Sequence, residues 1–116
     1  MTKRLILLVF IFLVTAVMFA CGSQEEKKIQ FFEKGKTLYE QGDYVKAQLE
    51  FKNALQIDPN FAEGFYWLGM IKQQEGNWKQ AYGSFAKTAE LDPDHLNAQL
   101  QLGRLLLLSR NTDQAL

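Results

Sequence analysis

Few side chains in this chain are suited to chemistry. His95 is the only histidine and Cys21 the only cysteine, so an imidazole or thiolate mechanism would have to be built on one of those two positions. A general base or a metal centre at His95 needs further donors at a workable spacing, and the sequence supplies none. Beside the Asp92-Pro93-Asp94 turn, His95 is expected to be a solvent-exposed turn residue. Asp58, Asp92 and Asp94 adjoin prolines and are expected to serve as turn and cap residues, not as a paired acid and base. A single cysteine excludes an internal disulfide and leaves no zinc-binding set. The glycines are spaced for packing, not for cradling a phosphate. Together these features point away from an enzyme, a cofactor or a small-molecule substrate.

The elements that must position these residues fall into two unlike parts. The 116 residues carry 13 basic and 13 acidic side chains. Lys3 and Arg4 belong to the amino end, and the remainder is weakly acidic, with its cations interspersed among carboxylates. No basic stripe is available to neutralise a run of phosphates, so nucleic acid is not an expected partner. After Lys3 and Arg4 come the uncharged residues 5–20, then Cys21-Gly22-Ser23 and a polar run to Lys28. A basic start, an apolar core of this length and small residues after it describe a secretory signal over residues 1–20 better than a full membrane span, which needs about twenty apolar residues.

Met18-Phe19-Ala20-Cys21 resembles the lipobox of bacterial lipoproteins, with Ala20 as the small residue before the cut, Met18 where Leu is usual and Phe19 where Ala or Ser is common. The resemblance implies cleavage before Cys21 and lipidation of Cys21. Several acyl chains on one residue give stable anchoring where a single chain is marginal. Residues 21–27 are then expected to be a polar, hydrated tether. Gly22 in place of Asp after the cysteine implies sorting to the outer membrane, facing the periplasm.

From Lys28 onward the sequence repeats every 34 residues: Gly35, Gly42, Ala47, Phe51 and Pro59 return as Gly69, Gly76, Ala81, Phe85 and Pro93, and a third copy opens at Gly103 and reaches Ala115. A fixed period of this size means one supersecondary unit stacked on itself. The units are 28–61, 62–95 and a partial 96–116. Each is predicted to be helix, tight turn, helix. Gly42-Asp43 and Gly76-Asn77 supply a left-handed glycine and an N-cap, and Asp58-Pro59 and Asp92-Pro93 end the second helices. Asn60 with Glu63 suggests a capping box for the following helix. A glycine inside a helix costs about 1 kcal/mol against alanine, so Gly35, Gly69 and Gly103 require a compensating contact. The expected one is close approach to Ala47 and Ala81 of the second helix, with Phe51 and Phe85 filling space toward the next unit.

Phe65, Leu68-Gly69, Gly76, Trp78, Ala81, Phe85 and Pro93 together resemble the tetratricopeptide repeat, and the pattern covers everything from Lys28. Lys34, Lys72, Thr88, Gln99 and Arg110 depart from it. The resemblance implies an all-α solenoid of two full repeats and a truncated third. It also implies a concave groove that accepts protein or peptide partners. By the same resemblance the groove positions are Ile29, Phe32, Lys36 and Tyr39, then Glu63, Tyr66, Met70 and Gln73, then Asn97, Leu100, Arg104 and Leu107. The Lys, Asn and Arg set with which chaperone cofactors of the family hold a terminal carboxylate is not reproduced, since Phe32 and Trp67 stand at its early positions.

Leu105–Leu108 is a run of four leucines, with a partner helix expected to begin at Thr112. A stacked array normally closes on a polar helix. The leucines therefore suggest an array continuing past residue 116, or else an association surface. The wording of Gly42 to Pro59, with the signal and cysteine, resembles the long tetratricopeptide lipoproteins that accompany exosortase and exopolysaccharide export. The implied function is a lipid-anchored, non-enzymatic interaction scaffold of the cell envelope, holding envelope proteins or peptides. Two alternatives stand beside it: an assembly lipoprotein for pili or outer-membrane proteins, and the recruitment region of a longer enzyme.

Overall fold

The computed structural model describes residues 1–114, and the side chains of residues 1–19 and 22–111. Ala115, the expected alanine of the third copy, lies outside the described residues, as does the side chain of Cys21. Five helices follow one another: α1 (Thr2–Glu40), α2 (Tyr44–Ile57), α3 (Ala62–Gln74), α4 (Trp78–Leu91) and α5 (Leu96–Gln114), with no strand among the described residues. The two expected helix–turn–helix units are α1 with α2 and α3 with α4.

The turns form by local backbone rules. Gly42 and Gly76 have φ of 79° and 74°, a conformation closed to most other residues. The amide of Asp43 then reaches back to the Leu38 carbonyl at 3.0 Å, and that of Asn77 to Lys72 at 2.9 Å, satisfying carbonyls the helix end leaves open. The Asp43 carboxylate accepts from the Lys46 amide at 3.2 Å, and the Asn77 side chain from Gln80 at 3.3 Å. At the other end, Asp58 and Asp92 are extended, with φ of −130° and −135°, as the following prolines require.

The core lies between the helices of each unit, and its organising contact differs from the expected one. A Cβ placed on Gly35 would lie 2.6 Å from the Phe51 ring, and one on Gly69 would lie 2.7 Å from Phe85. The helical glycine thus faces the phenylalanine of its own unit, not Ala47 or Ala81; both alanines are buried one turn away. The missing Cβ leaves a slot on the first helix that the ring fills, and each ring is completely buried. Phe51 also stacks on Trp67 of the next unit, with centroids 6.0 Å apart and planes at 22°, so the expected filling toward the next repeat is present as well.

Two further expectations are revised. The Asn60–Glu63 capping box does not form: Phe61 is the N-cap of α3 and makes no side-chain cap bond. Its ring packs on Phe32 at 5.1 Å, while Asn60 gives its amide to Asp58. No second helix starts at Thr112, because α5 runs unbroken to Gln114; Arg110 occupies the place of the left-handed glycine, and nothing there favours a turn. Residues 21–27, the expected polar tether, are helical and continuous with the first repeat helix.

Lys34, where the repeat pattern wants leucine, has its ammonium 3.5 Å from Glu50 on α2. Glu50 is buried, and its second oxygen has no hydrogen-bond partner. The same two positions in the second repeat are Leu68 and Ser84. A half-satisfied buried carboxylate paired to an exposed lysine contributes less than a well-packed apolar pair. Installing Lys34→Leu with Glu50→Ser is expected to stabilise the array by about 1 kcal/mol, read as a higher melting temperature; a lower one would show that the ion pair is net stabilising.

Candidate functional site

A continuous chain of aromatic rings ties the repeats together. Phe61 meets Phe32, Phe32 meets Phe51 at 5.9 Å, Phe51 stacks on Trp67, Trp67 meets Tyr66 at 5.8 Å, and Tyr66 meets Phe85 at 5.7 Å and His95 at 4.9 Å. Tyr39 joins the same chain through Tyr44 and Trp67. Offset and edge-on ring pairs of this kind add about 0.5–1.5 kcal/mol each beyond area burial. The chain crosses the junction between the first two units, where Tyr39 and Phe51 meet Trp67, and so sets α1 and α2 against α3; it ends at His95, next to the start of α5.

Polar bonds run along the same wall. Gln74 donates to the Tyr39 hydroxyl at 3.4 Å, and Gln73 donates to Gln101 at 3.2 Å. Lys28 closes the amino-terminal end, with its ammonium 2.9 Å from Glu25, 3.1 Å from Asp58 and 4.7 Å from the centre of the Phe61 ring. The bond to Glu25, then those to Asp58, hold the Lys28 ammonium above its usual range against the opposing effect of burial. Burial, then the charge of Glu63, pushes the Tyr66 phenol up.

His95 overturns the expectation of an exposed turn residue. Its side chain is only 8% exposed, and Nε2 lies 2.5 Å from a Glu63 oxygen. Nδ1 accepts the Ala98 amide at 3.1 Å, which caps the start of α5 and leaves the proton of the neutral ring on Nε2, donated to Glu63. Both ring nitrogens are therefore engaged, and the one acceptor lone pair, on Nδ1, is taken by the Ala98 amide. The signal in the sequence was the period: 34 residues earlier stands Phe61, whose ring packs on Phe32 as His95 packs on Tyr66. Breaking the pair with Glu63→Gln or His95→Phe should each destabilise the array by about 1 kcal/mol, and the double variant by less than the sum. Strict additivity would show that the two side chains do not act together.

The positions assigned to the groove divide into two groups. Phe32, Tyr39, Tyr66 and Met70 are partly buried and pack against the cores; Glu63 and Gln73 are engaged with His95 and Gln101. Lys36 is half-buried, bonded to Glu33 at 3.0 Å and set 4.9 Å above the Phe32 ring. Ile29, Asn97, Leu100, Arg104 and Leu107 are exposed. The structure therefore brings the first group together as an inter-repeat wall and leaves the second group, with Lys36, as the accessible chemistry on it. Among the described residues no group of three His, Cys, Asp or Glu side chains converges as a metal site.

A family model described as TPR repeat matches residues 35–76, and one described as tetratricopeptide repeat matches residues 72–116. This is a tetratricopeptide-repeat chain. Solved structures of the same fold include MamA, residues 41 to the end, from Desulfovibrio magneticus RS-1, with a TM-score of 0.68 and 23% identity over 78% of this chain and 51% of that one. A double mutant of MamA RS-1 gives a TM-score of 0.67 and 24% identity, with the same coverage. A mutant O-GlcNAc transferase from Thermobaculum terrenum gives 0.68 and 22%, over 72% of this chain and 16% of that one. At these identities the likeness is one of fold. The tetratricopeptide chain described here spans about half the length of the MamA chains and a small part of the transferase. Repeats of this kind are protein–protein interaction scaffolds.

Proposed function

We propose that this chain is a lipid-anchored, non-enzymatic scaffold of the bacterial envelope that holds partner proteins or peptides on the face of its first helices. The observation that carries the reading is the alignment of α1, α3 and α5 by the ring chain and the Gln73–Gln101 and Gln74–Tyr39 bonds. It makes one preformed surface on which Ile29, Leu100 and Leu107 offer apolar contact while Lys36 and Arg104 offer positive charge. A preformed surface binds without the cost of ordering it. The anchor rests on Cys21, placed directly after an apolar run, in the helix of this chain that is long and apolar enough to cross a membrane. The wording of residues 42–59 favours envelope export, of the exopolysaccharide kind, as the setting.

Two measurements test this. Labelled fatty acid should be incorporated by the parent chain and not by Cys21→Ala; undiminished label in the variant would remove the anchor. A photo-crosslinking residue in place of Lys36 or Arg104 should yield protein adducts in envelope preparations, whereas the same residue at Val45, which is 81% exposed on α2, should not. Adducts at Val45 alone would move the binding surface off the first helices.

A further inference from the structure

A groove of about 300 Å³ runs between the second helices α2 and α4, with α3 between them. Phe65 and Leu68, three residues apart on α3, are half-buried and supply its apolar surface; helical spacing puts them on the opposite side of α3 from Glu63, Tyr66 and Met70. One lysine from each of the three helices stands around this surface: Lys52 of α2, Lys72 of α3 and Lys87 of α4. No aspartate or glutamate lines the groove among the described residues. Its walls all come from the first two repeats.

Two features of the groove serve nothing inside the array. Gly83 lies within α4, where glycine weakens a helix relative to alanine, and no described atom lies within 4 Å of where its Cβ would stand. The same place in the first repeat holds Leu49. The glycine therefore leaves the α4 wall bare. The second feature is charge: Lys52 is exposed and has no ion-pair partner among the described residues, while Lys72 and Lys87 meet only Glu75 at 3.0 Å and Glu90 at 3.3 Å, each three residues on in its own helix. Exposed pairs of that kind are weak and yield to an incoming carboxylate. Three cations around an apolar patch select a ligand with both anionic groups and a bulky apolar side chain. A small anion would leave Phe65 and Leu68 uncovered.

We propose that this groove is a docking site for an acidic segment of a partner protein, which sets one bulky apolar side chain on Phe65 and Leu68 and pairs its flanking carboxylates with Lys52, Lys72 and Lys87. The site is separate from the face of the first helices and does not depend on it. The array then holds partners on two sides.

The test uses the full chain in neutral detergent micelles and, as probe, the labelled synthetic peptide Glu-Asp-Glu-Phe-Glu-Asp-Glu. Saturable binding below about 1 mM is expected at low salt, weakening as salt is raised to about 0.15 M. Lys52→Glu should weaken it at least about fivefold, whereas Lys46→Glu, an equal charge change at an exposed position of α2 outside the groove, should change it by less than about twofold. Gly83→Leu should weaken it at least about tenfold by filling the groove, as should alanine in place of the peptide's phenylalanine. Because Leu49 already stands at this position of the repeat, exposed on α2, the Gly83→Leu chain should fold, which its helical signal on heating verifies. Equal losses from Lys52→Glu and Lys46→Glu, undiminished binding to the Gly83→Leu chain, or no saturable binding would overturn the proposal. So would Lys52-dependent binding to phosphatidylglycerol vesicles in place of the peptide, or self-association of the chain that Gly83→Leu abolishes.

Discussion

Gly69→Leu should unfold the array, while the same substitution at Gly103 should raise its melting temperature. The two glycines are equivalent in the repeat and both lie inside first helices, so helix propensity alone predicts a gain of somewhat under 1 kcal/mol at each. What separates them is the neighbour. At Gly69 even a Cβ would lie 2.7 Å from the Phe85 ring, and Phe85 is fully buried with Ala81 and Leu105 behind it. The ring cannot yield without forcing α4 away from α3. Overpacking of this kind costs about 3 kcal/mol or more, a large share of the margin of so small an array. At Gly103, among the described residues, no atom lies within 4 Å of such a Cβ. Melting curves followed by helical circular dichroism decide the matter, and two shifts of the same sign would show that the glycine–phenylalanine contact does not hold the units.

Phe51→Ala should cost about 3–5 kcal/mol, more than any surface change in the chain. The ring is buried against Gly35, touches Phe32 and stacks on Trp67. Its loss therefore opens a cavity within the first unit and at the junction with the second at once. The loss of helical signal on heating should become less cooperative, because the two units would no longer share a core. A melting curve displaced by less than the equivalent of about 1 kcal/mol would contradict the packing described for α1, α2 and α3.

The features legible in the sequence were those set by short-range rules. Gly42-Asp43, Gly76-Asn77 and the two Asp-Pro pairs dictate backbone conformation within a few residues, so they marked the turns and helix ends without reference to the rest of the fold. The positions on the face of the first helices came from the family resemblance. Which residues on it remain accessible was not legible there, because Tyr66 and Leu100 hold the same place in the repeat, yet Tyr66 is packed on Phe85 and Leu100 is exposed. His95 and Glu63 are 32 residues apart, as the bond between them records, and no local signal links them. The Gly69–Phe85 contact was misassigned to Ala81 for a related reason: spacing along a helix gives the side that faces a neighbour, but not how deep each residue reaches. The unbroken course of α5 followed from the loss of a single glycine, at Arg110, and Lys28 revealed its role only when Asp58 and Phe61 were brought to it.

The continuity of α1 through residues 21–27 carries a mechanical consequence. If the chain is anchored as proposed above, a flexible leash would let the array tumble above the bilayer, whereas a helix transmits bearing as well as height. Removing one residue between Gly22 and Lys27 would lower the array by only about 1.5 Å but swing it through about 100° around the helix axis. Removing a whole turn would restore the compass heading at a slightly lower altitude. Under the anchoring proposed above, the heading of the partner face would be encoded in the helical phase of residues 22–27, where, among the described residues, Glu25 bonded to Lys28 is the one fixed point.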